Sequence, residues 1–114
     1  MTMQKQTSWL RRGIRGTMLL STTPADGAIG VNVNTTVLLV FNKPMQLPLL
    51  IFENEWGIPV AHTVAYNGGN LNQILLTPVA PLAPGIGYVV TGNFDAMGKP
   101  FYGGSFGISF WTAP

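Results

Sequence analysis

The segment Gly103-Gly104-Ser105-Phe106-Gly107 has the G-x-S-x-G spacing of a hydrolase nucleophile elbow. That motif works because the serine sits on a strained strand-to-helix turn and an acid and a histidine follow it in the chain. Here Ser105 leads into an alternating, strand-like run, and His62, the single histidine, lies upstream. A serine hydrolase is therefore not expected. His62 is set among Val60, Val64 and Tyr66 and is expected to face solvent or to bond within a sheet. One histidine without cysteine does not gather the ligands zinc requires. Calcium needs six to eight oxygens. The four acids, Asp26, Glu53, Glu55 and Asp95, are spaced as turn or strand-end residues, where a carboxylate bonds to backbone. No phosphate loop, zinc finger or RNA-binding signature is present, and arginines alone give only weak, salt-sensitive nucleic-acid binding. The remaining chemistry is recognition. Trp56, with Ile58 in "NEWGIP", and the pair Phe101-Tyr102 are aromatics in turns, able to stack on a sugar or anchor a protein. The alternative for Trp56 is an indole folded over a sheet edge. No catalytic, cofactor-binding or metal-binding residue is assigned, and a non-enzymatic protein is expected.

Composition limits what can present such residues. A chain of 114 residues suits one domain with one hydrophobic core. Without cysteine, stability must come from packing, and no redox compartment can be read. Charged residues make up 9% of the chain and mean hydropathy is +0.30, a composition suited to life against other protein surfaces. No run approaches the roughly 18 apolar residues of a membrane helix, so a membrane span is not expected. Arg11, Arg12 and Arg15 are followed only by Met18-Leu19-Leu20 before polar residues, a poor secretory or twin-arginine leader, and export by the chain's own signal is not expected. Charge divides the chain. Residues 1–16 hold Lys5, Arg11, Arg12 and Arg15 and no acid, forming a basic N-terminal arm; residues 17–114 form the domain. Within "TSWLRRGIRG", Thr7 or Ser8 can cap one or two helical turns with Trp9, Leu10 and Ile14 on one side, although Gly13 weakens them. The arm reads either as a flexible leader or as a docking arm whose apolar residues insert into a neighbour while its arginines meet acidic surface.

From residue 17 on, short β-branched and aromatic runs alternate with turn signals, and none keeps a helical period. Strands are predicted near residues 17–22, 35–42, 49–54, 60–66, 72–77, 86–93 and 105–112, the spacing of an all-β, immunoglobulin-like sandwich of about seven antiparallel strands in two sheets. Alternation assigns Val37, Leu39, Phe41, Ile74, Leu76, Tyr88, Val90, Phe106, Ile108 and Phe110 to the core. Between two strands, "PLAPGIGY" reads as a corner. Pro81, Pro84 and Gly85 turn the chain between sheets, Leu82 plugs the core, and Tyr88 bonds back to the corner backbone.

These residues carry a resemblance. Pro24-Ala25-Asp26-Gly27, Phe41-x-Lys43-Pro44-Met45, Leu82-x-Pro84-Gly85-x-x-Tyr88, Asp95-x-x-Gly98-x-Pro100 and Phe110-x-Thr112 together resemble the bacterial Ig-like domains of S-layer and other large surface proteins, over about residues 20 to 114. Similar modules occur on tailed-phage particles. The resemblance implies a non-catalytic module that spaces, displays or adheres. Where the family usually has outward threonines this chain has Leu38, Val40 and Leu75, expected to form an apolar patch with Leu49 or Ile51 as an extension. Such a patch marks an interface, or else Trp9, Leu10 and Ile14 of the arm cover it.

The arm and the surplus apolar residues point to a phage virion component, decorative or structural, docked on capsid subunits at the virion surface. The alternative is a spacer or adhesin module of a bacterial cell-surface or S-layer protein, secreted as part of a longer chain, associating with like subunits or with itself and able to take glycan as a ligand. In either case the interface residues are Trp9, Leu10, Arg11, Arg12, Ile14, Arg15, Leu38, Val40, Leu75 and Trp56.

Overall fold

The computed structural model describes the backbone of residues 17–97 and 99–114, and their side chains except those of 99–103. Eight strands form: β1 Leu19–Thr23, β2 Ala28–Val31, β3 Val37–Phe41, β4 Leu50–Asn54, β5 His62–Asn67, β6 Asn70–Pro78, β7 Gly87–Ala96 and β8 Lys99–Thr112. They make two four-stranded sheets, ordered β1-β3-β6-β5 and β2-β8-β7-β4. This is an immunoglobulin-like sandwich. Every predicted strand is present, and one more joins them. The first strand divides at the Pro24–Gly27 turn, so that β1 pairs antiparallel with β3 while β2 crosses over and pairs parallel with β8. Gly27, at φ 85°, lets the chain turn there, since a residue with a side chain rarely adopts that conformation.

The inner faces meet through a dry seam. Val37, Leu39, Phe41, Ile74 and Leu76 from the first sheet face Phe52, Val90, Ile108 and Phe110 from the second, all at most 6% exposed. Burying each such side chain is worth about 1.5–3 kcal/mol, enough to hold a cysteine-free domain together. Aromatic rings make the seam continuous: Phe41 meets Phe94 at 4.9 Å, and Tyr88 stacks on Phe110 at 5.8 Å. Phe106, expected in the core, is only partly buried. It packs on Phe94 near the edge of the seam, opposite Gly92, which has no side chain to cover it.

The β6–β7 connection is a corner. Leu82 is 5% exposed, and its N–H donates to Val33 O at 2.8 Å. Ala83 N–H donates to Tyr88 Oη at 2.9 Å, and Gly85 turns at φ 68°. Thr112 Oγ1 donates to Ala83 O at 2.7 Å and accepts from Ile86 N–H at 3.0 Å, tying β8 to the corner. The free side of β4 is covered by its own continuation: Asn54 N–H reaches Ile58 O and Val60 N–H reaches Phe52 O, with Pro59 bridged to Glu53.

The domain measures 52 × 27 × 23 Å, and its ends differ. At one end lie the corner, residues 113–114 and the turn carrying Trp56, because Asn54 pairs with Tyr88 and Gly85 N–H donates to Ala113 O. At the other lie Met18, which exchanges bonds with Asn42, and the β7–β8 hairpin. Among the described residues no helix is long and apolar enough to cross a membrane.

Candidate functional site on the outer faces of the two sheets

Outward residues follow from the same alternation that fills the core. On the first sheet Leu38 stands directly opposite Leu75, with Thr23 and Ala65 completing the row, and Val40 lies between Ser21 and Gln73 in the next. The three apolar side chains are therefore contiguous, and each is half-buried by its neighbours. Leu49 and Ile51 do not extend this patch. They belong to the β4 edge of the opposite sheet, 88% and 55% exposed, because β4 pairs with β7 rather than with β3 or β6.

The outer face of the second sheet carries a different group. Near the corner end the row reads Glu55, Gly87, Trp111; the next reads Glu53, Val89, Ser109; the next Ile51, Thr91, Gly107. Glu55 and Gly87 exchange two bonds: Glu55 N–H donates to Gly87 O at 2.8 Å, and Gly87 N–H donates to Glu55 Oε1 at 2.7 Å. The missing side chain at Gly87 lets the Trp111 indole lie across the strand. A Cβ there would stand 2.8 Å from Trp111 Nε1, 3.2 Å from its Cε2 and 3.1 Å from Glu55 Oε1. Trp111 remains 44% exposed. Asp26 Oδ1 accepts from Ser109 N–H at 2.9 Å, so a third carboxylate is fixed beside this face.

Trp56 follows Glu55 in the β4–β5 turn, where Asn54 Oδ1 accepts from the N–H groups of Trp56 and Ile58. It is 65% exposed, an indole standing out from its turn. Phe101 and Tyr102 lie on the β8 backbone near the hairpin, at the opposite end of the domain from Trp56. Sequence reasoning missed Trp111 and the role of Glu55. The inward parity of Ile108 and Phe110 already placed Trp111 outward, but Glu55 reads as a turn residue until β4 is registered on β7. Trp9, Leu10, Arg11, Arg12, Ile14 and Arg15 lie outside the described residues.

The residues first considered for catalysis are dispersed. Ser105 sits within β8 opposite Asn93, without the strand–turn–helix geometry of an elbow. His62 shares the inward parity of Val64 and Tyr66, so it borders the core rather than facing solvent. Its Nδ1–H donates to Val60 O at 2.8 Å, and its ring meets Phe52 edge-on at 5.8 Å. Among the described residues no three of His, Cys, Asp and Glu converge on a common point. Two of the four acids bond to backbone, though across strands: Asp26 to β8 and Glu55 to β7.

Comparisons with known proteins agree with this architecture. Among solved structures, the chain is similar to CopC from Methylosinus trichosporium OB3b, with a TM-score of 0.73, 16% identity, and coverage of 86% of this chain and 94% of that one. It is also similar to PcoC, a methionine-rich copper resistance protein from Escherichia coli, with a TM-score of 0.68, 17% identity, and coverage of 83% and 96%. At such identity the likeness is one of fold. No curated protein matches the chain by sequence. The family model described as bacterial Ig-like domain matches residues 16–112, a span that contains all eight strands, and the chain belongs to that family.

Proposed function

We propose that this chain is a non-catalytic module of a bacterial cell-surface protein, serving as a spacer or adhesin. The observation that carries this reading is the family match over residues 16–112, on a sandwich whose potentially reactive residues are scattered or bonded to backbone. The geometry of the ends supports a spacing role. The described chain enters beside Asn42 and leaves beside Gly85, at opposite ends of a 52 Å body, so each copy in a series advances along the long axis. The virion reading draws on the basic arm and surface apolarity alone, and the comparisons add nothing to it.

Copper, suggested by the neighbour PcoC, finds no histidine–methionine set among the described donors: His62, paired with Pro78 on the corner side, directs Nδ1 to a carbonyl, Met45 is fully buried in the seam, and the exposed Met18 and Met97 lie toward the opposite end, beside Asn42 and Pro44. Soft thioether and imidazole ligands must converge to hold that metal. The test of the surface reading is location. Antibody against the domain should label intact, unpermeabilised cells, and protease added outside should remove the signal. Labelling only after lysis overturns the proposal.

A further inference from the structure

We propose that Trp111, Glu55 and the Gly87 backbone form a platform for neutral, β-1,4-linked hexopyranose chains; this rests on the surface-module reading and specifies its ligand. Three observations converge on it. First, the indole is seated against backbone. It lies over Gly87, close enough that a Cβ there would stand 2.8 Å from Nε1, yet 44% of the residue remains accessible. An aromatic face fixed before binding loses little freedom when a sugar arrives.

Second, an acceptor is fixed in the same row. Glu55 Oε1 accepts from Gly87 N–H at 2.7 Å, and Glu55 itself is an exposed residue. A carboxylate accepts from hydroxyl groups, and a pyranose offers hydroxyls around its rim and C–H groups on its faces. An indole beside a carboxylate matches that arrangement. Chains with equatorial β-1,4 linkages present flat C–H faces, which suit an open floor on a sheet better than a groove would.

Third, the charges that the described residues place here are of one sign. Glu53 occupies the adjoining row and Asp26 is bonded to Ser109 in it. Uronic or sialic acids would meet like charge, so the platform discriminates in favour of neutral sugars. Trp56, next in the chain after Glu55 and 65% exposed, supplies a second indole at this end of the domain.

The experiment titrates the full chain with cellohexaose and chitohexaose, with a β-1,4-linked glucuronic acid hexamer as the acidic control, following tryptophan fluorescence and the indole N–H signals by NMR. At least one neutral hexamer should give a saturable shift of the Trp111 signal, and the acidic hexamer should give none. Trp111→Ala should weaken binding tenfold or more with the thermal midpoint little changed. Glu55→Gln, which keeps an oxygen for Gly87 N–H, should weaken it several-fold without unfolding. The proposal is overturned if neither neutral hexamer moves the Trp111 signal, if the acidic hexamer binds equally, or if Trp111→Ala binds as the parent does. A concentration-dependent shift of the Trp111 signal in the absence of sugar would assign the face to a second copy and also overturn it. Cell labelling judges the surface reading separately: a displayed domain with a silent platform sinks only the platform.

Discussion

The outer faces of the two sheets both carry apolar side chains, but they hold them differently. On the β1-β3-β6-β5 sheet, Leu38 and Leu75 lie opposite each other and, with Val40, shield one another to partial burial. On the other sheet Ile51, at the β4 edge, is 55% exposed, and Trp111 is supported by a glycine rather than by a neighbouring side chain. The first face is a lateral hydrophobic cluster that already contributes to folding. The second is a set of groups that stand more open to solvent, among them one indole set against the Gly87 backbone. A patch that shields itself gains less from a partner than one held open, so exposure alone is a poor guide to where recognition occurs.

Mutations can break or sharpen this contrast. The seam sets the upper scale: Phe41→Ala, at a fully buried position, should cost about 3–5 kcal/mol in chemical denaturation. Gly87→Ala comes next. The added methyl must displace Trp111 or Glu55, and the expected loss is about 1–3 kcal/mol, with a changed tryptophan emission as the local readout. Leu75→Thr, on the self-shielded face, should cost about 1 kcal/mol, and combined with Leu38→Thr it should reduce association in sedimentation if that face meets a partner. Ile51→Thr should stay within about 0.5 kcal/mol of the parent. A loss at Ile51 as large as at Leu75 would abolish the distinction between the faces.

The legible parts of this fold were those where a local pattern has one physical cause. Alternation in "VLLVF" and "GISFWT" comes from one buried face, and those residues lie where the pattern puts them. The corner was legible because Leu82, Gly85 and Tyr88 perform separate tasks over a few residues. Strand β2 was not. It has four residues, one of them Gly30 at φ 66°, and its order comes from parallel pairing with residues some eighty positions away. Leu49 and Ile51 were misassigned for a related reason: parity gives a face, but only sheet order says whose face it is. His62 was left between two readings, solvent or a bond within the sheet, and its parity with Val64 and Tyr66 goes with the second: it bonds to Val60 O. The Glu55–Gly87–Trp111 row depends on register between three strands, and no single segment reveals it.

The parallel seat of β2 on β8 has a mechanical consequence. Ala28 aligns with Phe110 and Val31 with Thr112, and Ala113 N–H continues to Val31 O. Tension drawn along the long axis through the last strand would slide it lengthwise past β2 and β7, so these bonds share the load together instead of parting one after another. Tethered at both ends, the module should resist extension as a stiff link.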